Sequence, residues 1–176
     1  MDELTKMLRD ELPYISEEKR RAGLHAHFIQ PGYEENSNLI KFSFDLHGVI
    51  DAKHETFKVL MGDLIKGGRE VHIVTGAPWE KERMTLETLG IPFTHFFSIV
   101  DFHKEIGTPI RWDDLGNAHI DEREWDKTKG LYCLKQKIDM HFDDSDQYAY
   151  FFKTPYTRFY SKDSYRIKKT HIGGSP

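Results

Sequence analysis

Two periodicities alternate along this chain from residue 39 onward, and that alternation limits its possible folds more than any other feature. Apolar runs of strand length occupy 39–45, 70–75, 93–100 and 138–142. Between the first two, Phe57, Leu60, Met61, Leu64 and Ile65 recur at i, i+3, i+4, i+7 and i+8, which predicts a helix over 55–66. Gly67-Gly68 is its stop. Pro78 suits the first position of a helix running to Leu89, closed by Gly90. Further helices are predicted over 129–137 and 145–152, and a last strand over 156–160 after Thr154-Pro155. Strand and helix in alternation imply βαβ units. The predicted class is α/β, a three-layer doubly wound (Rossmann-like) parallel sheet of about five strands.

The remaining segments frame this core, taken as 39–161. Residues 1–38 read as an N-terminal helical extension. Leu4, Met7, Leu8 and Leu12 form a stripe ended by Pro13, a second helix covers 16–26, and 30–38 is a polar loop around Pro31-Gly32. No chemical motif falls there, so these helices read as packing elements. Residues 101–127, with Trp112 and Trp125, are a long interval for a structureless connection, and read either as a small insertion acting as a lid or as a surface excursion. The end, 162–176, carries Lys162, Arg166, Lys168 and Lys169 and reads as a solvated basic tail rather than a nucleic-acid footprint. One pattern conflicts with a parallel sheet. Buried parallel strands are usually continuous apolar runs, yet 138–142 alternates and His72 interrupts another strand. Either one face is poorly covered or these polar groups bond to the N-terminal helices.

Bulk properties narrow the function classes. A net charge of −4 argues against extensive nucleic-acid binding. The single cysteine, Cys133, forbids an internal disulfide and fits a reducing compartment. The charged Met1-Asp2-Glu3-Leu4 start lacks a signal-peptide core, and no apolar run nears the roughly 20 residues of a membrane span. A cytoplasmic protein with no membrane partner is expected. The ten histidines include no pair at ligand spacing on one helix face, and no cysteine cluster accompanies them, so no structural zinc site is predicted.

Four polar clusters sit at or near predicted strand ends, which converge on one crevice in such a sheet. Asp45 can ligate Mg²⁺ and attack phosphorus, and Gly48 lets the chain turn away; alone, such an Asp is more often a turn residue or helix cap. Thr75 and the Gly76 backbone N–H can hold phosphate oxygens, or form a common turn. Lys129, read as opening a helix, can neutralise nucleophile and phosphate, with Lys127, Lys135 and Lys137 as competitors. Asp143-Asp144 can complete a magnesium site or cap the next helix.

In this order the clusters resemble the haloacid dehalogenase-like (HAD) superfamily of phosphotransferases, over roughly 39–160. The matching stretches are Phe44-Asp45-Leu46-His47-Gly48-Val49-Ile50, Ile73-Val74-Thr75-Gly76, Lys129, and 138–145. The run from Lys129 through Cys133 to Asp143-Asp144, followed by Phe152-Lys153-Thr154-Pro155-Tyr156, is similar to the small-cap nucleotidase-like branch. The resemblance implies a Mg²⁺-dependent phosphomonoester phosphatase with Asp45 as nucleophile and magnesium ligand. It assigns the transferring phosphoryl group to Thr75 and its charge to Lys129. It assigns the metal to Asp143, Asp144 and the backbone carbonyl of His47. The family's phosphatases usually carry a second aspartate, the general acid and base, at position 47; this chain has His47. A neutral imidazole acting as base is the expected active form. A catalytically weak phosphate- or protein-binding module is the alternative. With no room for a large cap between Asp45 and Thr75, the expected substrate is a phosphorylated small molecule, a nucleotide or a nucleic-acid end. A CheY-type phospho-acceptor domain uses similar groups, but there the acidic pair precedes the acceptor Asp, and here it comes last.

Overall fold

The computed structural model describes residues 27–30 and 38–160. The expected N-terminal helices and the basic tail lie outside the described residues. No helix among the described residues is long and apolar enough to cross a membrane.

In chain order the elements are β1 (His27–Ile29), β2 (Lys41–Phe44), α1 (His54–Lys66), β3 (Glu70–Thr75), α2 (Trp79–Leu89), β4 (His95–Ser98), α3 (Ile99–Ile106), β5 (Arg111–Trp112), β6 (Ala118–His119), α4 (Glu122–Lys135), β7 (Met140–Asp143), α5 (Asp146–Ala149) and β8 (Tyr156–Arg158). The main sheet runs β1-β4-β3-β2-β7-β8. Five of these strands are parallel, as expected, and β1 pairs antiparallel to β4 at one edge.

Strand alternation sorts the sheet into two unlike faces. On one, Phe44, Val71, Ile73 and Phe96 pack with Phe57 and Met61 of α1 and Leu86 of α2. On the other, Val74 and Phe97 meet Phe102 of α3 and Tyr132 and Cys133 of α4. This second face also carries the awkward polar residues of the sequence. His72 Nδ1 lies 2.8 Å from the Tyr132 hydroxyl. His141 Nδ1 lies 2.7 Å from Ser43 Oγ. Asp139 accepts the Lys41 backbone N–H at 2.8 Å. Each finds a partner: helix α4 brings Tyr132 to His72, strand register sets Ser43 opposite His141, and Asp139, itself exposed, reaches the β2 backbone. Burial holds the His72 pKa down to about 4 against the pull of Glu70, so the imidazole stays neutral. Burial also pushes the Cys133 thiol up to about 12.

Several boundaries depart from expectation, and three of the departures bear on the site. The strand expected over 93–100 stops at Ser98, whose side chain accepts the Asp101 N–H and caps α3. The helix expected to open at Lys129 begins at Glu122, capped by Asp121, so Lys129 lies mid-helix. That leaves a shorter insertion than 101–127, a hairpin formed by β5 and β6. Pro78 is the cap of α2 rather than its first helical residue.

Candidate active site

Two adjacent parallel strands deliver the central carboxylates. Asp45 directly follows β2, and its N–H donates to the Phe142 carbonyl of β7 at 2.8 Å. That bond ties Asp45 to the strand that ends in Asp143. The chain then winds through a tight turn at Leu46–Ile50, with Gly48 at φ +85°. That conformation favours glycine, and a Cβ there would collide with the Asp144 carboxylate. The glycine thus allows the turn after β2 to close on the turn after β7.

Lys129 binds the two strands together. Its Nζ lies 2.9 Å from Asp45 Oδ2 and 2.7 Å from Asp143 Oδ2, with 1% of the residue exposed. It also sits 4.7 Å from the Tyr148 ring centroid, within cation–π range. Of the four candidate lysines it alone reaches the carboxylates. Lys127 pairs with Glu124, and Lys135 and Lys137 are exposed. The remaining bonds hold the carboxylates still. Asp45 Oδ1 accepts from Leu46 N–H at 2.8 Å, and Asp143 Oδ1 from Ser145 N–H at 2.9 Å. His141 Nε2 lies 3.3 Å from Asp143 Oδ2, so the Ser43–His141 pair supports Asp143 from beneath.

The charge balance is incomplete. Oxygens of Asp45, Asp143 and Asp144 all lie within 4.8 Å of one another, and all three residues are buried. Three carboxylates face one ammonium. Burial, with the neighbouring Asp143 and Asp144 charges, pushes Asp45 up to about 7 despite Lys129. Burial alone would depress Lys129, but Asp143 and Asp45 override it and hold its pKa above the ordinary value. Burial would raise Asp143, but Lys129 and His141 override it and keep it ionised. These three carboxylates could together hold a metal ion.

Thr75, the last residue of β3, is fully buried, and its Oγ1 has no hydrogen-bond partner. A buried hydroxyl left so costs about 1–3 kcal/mol, so it is a ready contact for an incoming polar group. It lines a cleft of about 190 Å³ with Asp45, Gly76, Pro78, Lys81 and Lys129. Trp112, Asn117 and Ala118 bring the β5–β6 hairpin to the same cleft. The hairpin therefore walls the site. Gly76 has a second role: a Cβ there would lie 2.6 Å from the Trp125 ring. Trp125 in turn donates its indole N–H to the Tyr148 hydroxyl at 3.1 Å.

His47 departs from expectation. Its Nδ1 lies 3.3 Å from Asp51 Oδ2 and its Nε2 3.2 Å from Glu82 Oε1. These two bonds push its pKa up to about 10, so the ring is an imidazolium at neutral pH rather than the neutral base expected. Neither Asp51 nor Glu82 stands out in the sequence as a site residue. For Glu82 a signal existed: it falls one turn before Leu86 on the buried stripe of α2, where a carboxylate needs a counter-ion.

The chain matches no protein-family model, and comparison with curated proteins and with solved structures finds no match.

Proposed function

We propose that the protein is a Mg²⁺-dependent phosphomonoester phosphatase acting through an aspartyl-phosphate on Asp45. One observation carries this reading. Lys129 clamps Asp45 to the buried Asp143, and Asp45, Lys129 and the buried Thr75 hydroxyl without a partner line one cleft. Asp45, Asp143, Asp144 and the His47 carbonyl would hold Mg²⁺, which when bound neutralises charge on the transferring phosphoryl group. The Asp45 carboxylate forms a bond to phosphorus as the ester P–O bond breaks. Thr75 Oγ1 and the Gly76 N–H bind phosphoryl oxygens, and the Lys129 ammonium offsets their charge. The departing alkoxide takes a proton from the His47 imidazolium, which Glu82 and Asp51 hold at the cleft mouth. Water then attacks the acyl phosphate and passes a proton to the now neutral His47; the acyl–phosphate bond breaks, inorganic phosphate leaves, Asp45 returns to a carboxylate and His47 to an imidazolium.

The cleft has room for a phosphoryl group and the first atoms of its ester, so the rest of the substrate extends past Trp112 and Lys81. Trp112 is 45% exposed at that edge, and this favours a flat leaving group, as in a nucleotide or a nucleic-acid end. A second reading is a phosphate-binding module without turnover. It is favoured by His47, whose two ring nitrogens are both engaged by carboxylates.

The test is Mg²⁺-dependent phosphate release from nucleotides, sugar phosphates and 5′- or 3′-phosphorylated oligonucleotides, with Asp45→Asn beside the parent. The expected result is release by the parent and a loss of roughly three orders of magnitude or more in the variant. Release that survives Asp45→Asn overturns the mechanism. Phosphate binding by the parent without release selects the second reading.

A further inference from the structure

The polar face of the sheet holds a second group of ligand-type side chains, away from the cleft and not used by the proposed reaction. Glu70 and His72 lie two apart on β3, so they share a face, and β-register sets His95 of β4 opposite His72. The two imidazoles stack with ring centroids 4.1 Å apart. Ligand atoms of Glu70, His72 and His95 all lie within 4.8 Å of one another, and all three residues are buried. Helical spacing could not disclose this trio, because sheet register assembles it.

From this cluster we infer a binding site for a divalent cation of the zinc type, ligated by Glu70, His72 and His95. The ligand set, two imidazoles and one carboxylate, is one that borderline cations take. Two ligands each about 2.1 Å from zinc lie about 3.4 Å apart in a tetrahedral site. The spacing, within 4.8 Å, closes when each side chain shifts by less than about an ångström and the two stacked rings tilt toward one point. Outer contacts hold both rings. His72 Nδ1 meets the Tyr132 hydroxyl at 2.8 Å and His95 Nδ1 meets Thr94 Oγ1 at 2.8 Å, leaving each Nε2 edge on the side of the cluster. An independent sign comes from Glu70. Its Oε2 lies 2.8 Å from Lys41 Nζ and 3.2 Å from His72 Nε2, but its buried Oε1 has no hydrogen-bond partner. An acceptor buried without a donor is what a missing cation leaves behind. The Lys41 ammonium opposes a second cation, but its side chain is 11% exposed and can turn outward as the metal enters.

This site is independent of the phosphatase reading, and the test keeps them apart. The full chain is dialysed against Zn²⁺, washed, and its bound zinc counted. Melting is followed with and without Zn²⁺, and Co²⁺ is substituted as a visible-absorption probe. The expected result is one zinc per chain, a zinc-dependent rise in melting temperature, and a four-coordinate Co²⁺ spectrum. Glu70→Gln and His95→Gln should each weaken binding by roughly tenfold or more, while Asp143→Asn should leave it unchanged. A parent chain that retains no zinc and melts unchanged in its presence overturns the site, whether or not the variants fold. So does zinc that survives Glu70→Gln but is lost in Asp143→Asn.

Discussion

The two faces of the sheet are built by different rules. Under α1 and α2, Phe44, Ile73, Phe96, Phe57 and Met61 fit by shape and volume. Phe44 stacks on Phe142 at 4.9 Å and meets Phe57 edge-on at 5.6 Å. Under α3 and α4, Ser43, Glu70, His72, His95 and His141 are fully or almost fully buried and must be satisfied one bond at a time. The difference shows where the candidate site gets its rigidity. Ser43 holds His141, His141 meets Asp143, Asp143 binds Lys129, and Lys129 binds Asp45. The polar face thus runs without a break into the cleft, while the apolar face only supports it.

The largest expected effect tests that continuity. Lys129→Met keeps most of the volume but leaves Asp45 and Asp143 facing each other without their cation. Breaking a buried pair in this way costs about 3–5 kcal/mol. Mg²⁺ should restore part of the loss in thermal melts. A variant as stable as the parent without Mg²⁺ would show that the clamp contributes nothing to the fold.

A matched pair of smaller deletions sharpens the contrast between faces. Ser43→Ala removes one oxygen on the polar face and leaves His141 Nδ1 without its partner, at about 1–3 kcal/mol. Ile73→Val removes one methyl on the apolar face, at about 0.5–1.5 kcal/mol. Urea unfolding measures both. In the proposed reaction Ser43→Ala should also slow turnover, through Asp143, whereas Ile73→Val should not. Equal effects on turnover would break the distinction.

The smallest effect is acid sensitivity. His103 is buried between Thr108 and Thr128 on the α3–α4 side, and burial lowers its pKa below the usual 6.5. The unfolded chain therefore takes up a proton before the folded one does. This contribution is complete above pH 6.5 and is lost as pH falls below it, by at most about 1.4 kcal/mol per pH unit. His103→Asn should flatten that part of the melting-temperature profile. An unchanged profile would remove His103 as a cause.

Much of this architecture is legible in the sequence. Helix α1 and strand β3 lie within one residue of their expected bounds, because Phe57, Met61 and the 70–75 run carry strong periodicity. Asp45, Thr75 and Asp143 were legible as strand-end groups for the same reason, since a parallel sheet has only one carboxyl-terminal edge. The boundary at Ser98 was not, because Ile99 and Val100 are apolar in a strand or a buried helix alike. Nor was β1, a short strand within the segment taken as helical extension and loop.

By itself the sequence determined the alternation of strands and helices and the edge on which the acidic groups lie, because both follow from local periodicity. Only the tertiary structure decided which lysine joins Asp45, which carboxylates charge His47, and which strands bring Glu70, His72 and His95 together. Lys129 with Asp45, Glu82 with His47 and His95 with His72 are contacts between residues far apart in the chain. They depend on helix rotation and strand register, where a shift of one position turns every side chain to another face.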